Sequence, residues 1–198
     1  GNCVAPTLTK TTGTFEFHFK PGKVATETTG SARWHIYAKA TDSTARSGDN
    51  YQANRIMNWY GEITGVTATV SFGTVALGSA NTISGTVSAT YISNGAYDKQ
   101  VKSSSTWTGQ SSGTVLSLNT NGSPGPAEIA LKADDDGTLE GAVQVLSTSY
   151  TSIDETGTQT SESGDTASCN HLWLTLGSTG IPAEEYQGTI YYRIIEGS

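Results

Sequence analysis

No stretch of this chain holds helical periodicity for more than two turns, whereas alternation of apolar and polar positions recurs throughout. Residues 14–20 set Phe15, Phe17 and Phe19 against Glu16, His18 and Lys20, and Pro21-Gly22 closes the run; strict alternation ended by turn residues predicts a half-buried strand. Residues 32–40 predict a second, with Trp34, Ile36 and Ala38 on one face and His35, Tyr37 and Lys39 on the other. A polar stretch, residues 42–50, then reads as a loop running into an apolar-aromatic segment from Ile56 to Tyr60. Further strands are predicted within residues 63–77, 81–92, 114–118, 127–133, 138–150, 171–176 and 188–195. Asn94-Gly95 and Asn121-Gly122 are strong hairpin-turn signals. Residues 154–168 hold no apolar residue except Ala167 and read as a second mobile loop. About a dozen short strands spaced by turn residues predict one all-β domain over residues 1–198. Its expected form is an antiparallel β-sandwich, Ig-like or jelly-roll, elongated beyond the ~100 residues of a minimal Ig domain.

Composition agrees with strands, since 23 glycines, abundant Ser and Thr and a single Met all disfavour helix. Eleven Lys and Arg against eighteen Asp and Glu leave a net charge of -7. Nucleic acid calls for clustered cations, and none cluster here, so it is excluded as a partner. No run of about 18 apolar residues offers a membrane span. Cys3 and Cys169 lack the spacing of a zinc site. A single pair near opposite ends reads as one disulfide in an exported protein, the alternative being two buried thiols in a cytosolic one.

Catalytic chemistry finds little to work with. Glu184 and Glu185 are adjacent in a turn rather than opposed across a substrate, as glycoside hydrolysis requires. Residues 133–137, Ala-Asp-Asp-Asp-Gly, fail the EF-hand frame and serve as a hairpin turn without an ion. His18, His35 and His171 fall in three separate elements, and no G-x-S-x-G elbow occurs. We therefore expect no enzyme, no metal and no cofactor. The aromatic residues say more. Trp59 and Tyr60 follow Asn58 and stand close in sequence to Asp49, Asn50 and Tyr51. Adjacent strand residues point to opposite faces, so one of Trp59 and Tyr60 faces solvent. An exposed ring beside Asn and Asp suits a sugar, the ring stacking on its apolar face and the polar groups meeting its hydroxyls. Asp49, Asn50, Tyr51, Asn58, Trp59 and Tyr60 are thus the candidate binding patch, and Tyr97 and Trp107 could serve likewise. For any single one of these aromatics, ordinary packing is the competing expectation.

The end of the chain reads Pro182, Tyr186, Gly188, Thr189 and then alternation, with Ile190, Tyr192 and Ile194 on the core face and Thr189, Tyr191, Arg193 and Ile195 opposite. These residues resemble the terminal strand of bacterial chaperone–usher fimbrial adhesins and pilin-like subunits. The resemblance covers about eighteen of 198 residues. Gly180 and Tyr192 show the family's glycine-to-tyrosine spacing, but six residues follow Tyr192, and residues 1–13 lack the alternating apolar run of a donor strand. Both departures fit a receptor-binding domain better than a shaft subunit. The resemblance implies an exported protein of the bacterial cell surface or fimbrium that passes through the periplasm. It implies a host glycan or host surface protein as ligand. It further implies a periplasmic chaperone and neighbouring pilus subunits as partners, docked by strand addition along Ile190, Tyr192 and Ile194. Two other readings stay open: a carbohydrate-binding module or lectin of a secreted polysaccharide-degrading system, and a secreted glycan-active enzyme.

Overall fold

The computed structural model describes residues 18–153 and 157–198, with residues 166–169 described by their backbone alone. Cys3 and the Cys169 side chain lie outside that description, and so do Phe15 and Phe17. Among the described residues there are fourteen strands and no helix. In chain order they are β1 (Trp34–Thr41), β2 (Ser47–Arg55), β3 (Gly61–Val66), β4 (Thr82–Ile83), β5 (Val87–Ser93), β6 (Tyr97–Ser103) and β7 (Thr106–Gly109). The chain continues through β8 (Val115–Leu118), β9 (Glu128–Asp134), β10 (Val143–Gln144), β11 (Thr151–Ser152), β12 (Asp165–Leu176), β13 (Tyr186–Gln187) and β14 (Ile190–Glu196). The chain is all-β, in several sheets.

β1 and β2 form a two-stranded ribbon of their own. A nine-stranded sheet runs β13-β7-β8-β9-β12-β5-β3, with β10 attached to β9 and β4 to β12. A third sheet runs β11-β6-β14. β12 is the spine of the large sheet: its first half pairs with β5 and its second half with β9, and a register shift lies between Ala167 and Asn170. All pairings are antiparallel except β8 with β9, which is parallel. The larger core cluster draws on both sheets. Val101 of β6 joins Trp107, Leu116, Ile129, Leu131, Leu172, Leu174 and Leu176, and Ile190 and Tyr192 of β14 pack against it. A smaller cluster of Ala89, Tyr91 and Tyr97 collects Trp59, Ile63 and Ile194.

Several expectations change. Residues 18–20 are not a strand, and Phe19 is exposed. β1 is exposed along its whole length rather than half-buried, because its only strand partner among the described residues is the largely exposed β2. Residues 47–50, expected in a loop, belong to β2, and residues 165–168, expected in another, open β12. Neither Asn-Gly pair closes a hairpin. Asn94-Gly95 carries the chain from β5 in the large sheet to β6 in the third, and Asn121-Gly122 lies between the parallel strands β8 and β9. The type I′ turn that makes this dipeptide a hairpin signal needs positive φ at both residues. Here only Gly122 adopts it, with φ 83°, while Asn94, Gly95 and Asn121 do not.

Candidate binding surface

The ribbon begins with local turn chemistry. The Asp42 carboxylate accepts hydrogen bonds from the Thr44 amide at 2.8 Å, the Thr44 hydroxyl at 2.8 Å and the Arg46 amide at 2.9 Å. These donors, the Arg46 amide first, hold its pKa below the ordinary aspartate value. Ala45 completes the turn in the left-handed region at φ 64°. This is the three-residue hairpin geometry in which a left-handed residue follows a type I turn. The register that results sets Tyr37 opposite Tyr51 and Lys39 opposite Asp49.

Residues directly opposite in an antiparallel pair share a face. Tyr37, Tyr51, Lys39 and Asp49 therefore lie together on one side of the ribbon. The two tyrosines are 60% and 63% exposed. The Tyr37 hydroxyl donates to Asp49 Oδ2, and this bond raises the Tyr37 pKa above the ordinary phenol value. The His35 ring stands 6.0 Å from that of Tyr51 at a tilt of 57°. The other face carries Trp34, Ile36, Ala38 and Ala40 with Asn50 and Gln52. Trp34 donates from Nε1 to the Thr26 carbonyl at 2.8 Å, which ties the base of the ribbon to the preceding chain.

The other half of the expected patch is built differently. Trp59 is half-buried, packs against the Ala89–Tyr91–Tyr97 cluster, and donates from Nε1 to the Ala96 carbonyl at 2.8 Å. Tyr60 is the solvent-facing member of the pair. Its hydroxyl donates to Glu62 Oε2 at 2.5 Å, and Lys23 Nζ bonds the other Glu62 oxygen. Those two donors, Lys23 first, lower the Glu62 pKa, and the bond to Glu62 raises that of Tyr60. The Asn58 carbonyl accepts from Asn94 Nδ2 at 3.0 Å. Among the described residues, no hydrogen bond or ring contact joins Asn58, Trp59 or Tyr60 to Asp49, Asn50 or Tyr51. Tyr97 and Trp107 are buried, so neither presents a ring to a ligand.

The last strand lies at a sheet edge. β14 pairs with β6 from Ile190↔Ser103 to Glu196↔Tyr97, and among the described strands none is hydrogen-bonded to its other side. Ile190 and Tyr192 pack on the larger core cluster and Ile194 on the smaller. On the outer face, Arg193 Cζ lies 4.1 Å from the Tyr150 ring centroid, with Lys102 Nζ 4.9 Å from the same ring and 5.2 Å from that of Tyr191. Such contacts hold charged heads over rings while leaving them wet.

Comparison with known proteins returns nothing. No family model, curated protein or solved structure matches the chain. What it can do must therefore be read from its own residues. The carboxylates of the turns are committed to turn donors: Asp134 Oδ1 to the amide of Asp135, and Asp136 Oδ1 to the amide and hydroxyl of Thr138. Glu184 accepts from the Ser111 amide at 2.6 Å, the Ser112 amide at 2.8 Å and the Ser112 hydroxyl. No group of three or more His, Cys, Asp and Glu poised for a metal is found among the described residues. The ribbon face is what remains, and Tyr37 and His35 are the members the sequence did not mark. Their signal was the alternation in β1, which becomes a site only once the register pairs Tyr37 with Tyr51.

Proposed function

We propose that the chain is a non-enzymatic, glycan-binding adhesin domain of the exported bacterial type, a β-sandwich that presents its ligand face on the β1–β2 ribbon. One observation carries this reading. Tyr37 and Tyr51 stand opposite each other, both about three-fifths exposed, with Asp49 fastened to one of them and Lys39 across from Asp49. Two adjacent rings offer the apolar C–H face of a sugar a stacking platform at low conformational cost, and the flanking carboxylate and ammonium meet its hydroxyls. Tyr51 and Asp49 of the expected patch contribute directly, and Asn50 sits on the opposite face.

The test is a glycan array followed by titration of the best hit. Tyr37→Ala and Tyr51→Ala should each weaken binding roughly tenfold, equivalent to about 1.4 kcal/mol, with the fold retained because both side chains are exposed. Full affinity in the double variant would remove the ribbon from the site. Turnover of the bound glycan that disappears with a single carboxylate would replace binding by catalysis.

A second reading rests on a separate observation, the open edge of β14. Strand addition there, as the fimbrial resemblance implies, would use main-chain hydrogen bonds for affinity and alternate side chains for register. Amide exchange along β14, with and without an added peptide of alternating apolar residues, tests it. Unchanged exchange at saturating peptide would leave β14 an ordinary last strand.

A further inference from the structure

Lys99 is a charged residue on the core face of β6, between Tyr97 and Val101, and only 6% of it is exposed. Its Nζ lies 3.6 Å from Asp135 Oδ2, across the core on the turn that follows β9. Asp135 is the residue after Asp134 and Asn170 the residue before His171, and Asp134 with His171 is the last register pair of β9 and β12. Asn170 is fully buried, at 0% exposure. Its Nδ2 donates to the Val87 carbonyl at 3.3 Å and to the Tyr91 hydroxyl at 3.4 Å, while its Oδ1 has no hydrogen-bond partner. The Tyr91 ring that meets Asn170 through its hydroxyl also has Lys99 Nζ 5.9 Å from its centroid. A buried amine and a buried carboxamide with a bare carbonyl oxygen thus meet the same tyrosine, and a partly exposed carboxylate stands beside the amine.

Each group costs free energy where it stands, and their chemistry is complementary. A buried amine without its proton is a nucleophile, and burial favours the neutral form. A buried carbonyl oxygen without a donor is unsatisfied, at a cost of the kind folded proteins avoid. We propose that Lys99 and Asn170 join in an intramolecular isopeptide bond, formed by the folded chain itself, with Asp135 as the proton carrier. Asp135 takes a proton from the Lys99 ammonium, leaving two neutral groups in place of an ion pair whose amine is buried and whose carboxylate is partly exposed. The amine lone pair attacks Asn170 Cγ, and Asp135 donates a hydrogen bond to Oδ1 as negative charge develops there. The Cγ–Nδ2 bond then breaks, and the leaving nitrogen departs with the two protons that Lys99 loses. The balance is Lys ammonium plus Asn carboxamide giving a secondary amide plus ammonium, with no oxidant, reductant or cofactor. Holding the buried amine and the buried carboxamide within one fold supplies the effective concentration that such an aminolysis lacks in water. The product would tie β6 of the third sheet to β12, the spine of the large one.

Intact-mass measurement on the purified, reduced chain tests this. The protein should be lighter than its sequence by one ammonia, and a tryptic digest should show no cleavage after Lys99 and a branched peptide joining Lys99 to Asn170. Lys99→Arg, Asn170→Ala and Asp135→Asn should each restore the full mass, the last with the fold retained by circular dichroism and a lowered melting temperature. A wild-type chain of full mass that is cleaved after Lys99 would overturn the proposal. So would an ammonia deficit that maps to a cyclic imide at Asn94-Gly95 or Asn121-Gly122. A branched peptide in the Asp135→Asn protein would overturn the role of Asp135. Because the wild-type mass decides first, a variant that fails to fold does not leave the question open.

Discussion

Asn94 shows how much one residue can hold. It is buried at the passage from β5 to β6, and every polar group it owns is engaged. Its amide donates to the Tyr60 carbonyl at 3.0 Å, its Oδ1 accepts from the Tyr60 amide at 2.7 Å, and its carbonyl accepts from the Glu27 amide at 3.1 Å. Its Nδ2 donates to the carbonyls of Ala25 and Asn58, both at 3.0 Å. One carboxamide thus fixes two separate segments, residues 25–27 and 58–60, against the passage from β5 to β6. Asn94→Ala would strand the Tyr60 amide and two carbonyls, each at a cost of about 1–3 kcal/mol where water cannot replace the lost partner. We expect chemical denaturation to show a loss of at least about 2 kcal/mol, well above the half-kcal/mol scale of an ordinary surface change. A loss within that surface range would mean that solvent reaches these groups. Asn94→Asp should fare little better, because it keeps the acceptor for Tyr60 but turns a charge toward the two carbonyls.

Among elements, the contrast between β6 and β12 explains what the sequence disclosed. The second half of β12 was legible because Leu172, Leu174 and Leu176 alternate with His171, Trp173 and Thr175. β14 was legible for the same reason, and its apolar set does face the two core clusters. β6 was not, because its core face reads Tyr97, Lys99, Val101, Ser103, and a lysine at an inward position breaks the binary code. The same residue that hid the strand defines the buried cluster around Asn170. The ribbon was half legible. β1 alternates, but the Asp42–Arg46 turn carries no glycine to announce it, so β2 passed for a loop. Trp59 was taken into the core for a reason no local pattern encodes: the Ala96 carbonyl that satisfies its indole lies 37 residues further on.

The ribbon also carries a prediction of its own. Ala45 stands at φ 64°, where a Cβ costs about 1–2 kcal/mol. Ala45→Gly relieves that strain and should stabilise the turn, whereas Asp42→Ala removes the acceptor that organises it. A two-stranded ribbon is marginal in water, and among the described residues no third strand joins this one, so it should open locally rather than with the whole molecule. Hydrogen exchange in β1 and β2 is expected to slow with Ala45→Gly and quicken with Asp42→Ala, while β12 keeps its protection in both. Equal changes in β12 would show that the ribbon and the large sheet unfold as one unit.

Across the whole molecule, acid is the condition to which this chain should be most sensitive. Asp42, Glu62, Glu128, Asp136 and Glu184 all have pKa values held below the ordinary 3.8 of aspartate or 4.5 of glutamate, and in each case the leading cause is a hydrogen bond to the ionised form. For Glu184 that donor is the Ser112 hydroxyl, followed by the Ser112 amide, so the segment before β13 is latched to the turn after β7. The sign follows from linkage. A group whose folded pKa is depressed contributes stability above its unfolded pKa and loses it as the pH falls through the folded value. Five such groups act in the same direction. The melting temperature should therefore hold from neutrality to about pH 5 and fall progressively below about pH 4.5 as these carboxylates are protonated. Glu184→Gln should lower the neutral-pH melting temperature and flatten part of the acid decline, since its side chain no longer titrates. Because these groups are open to solvent, screening trims their separate contributions. The bonds are short-range, however, so added salt should shift the curve without erasing it. A melting temperature that stays level through the acid range would show that the carboxylate latches do not hold the native state.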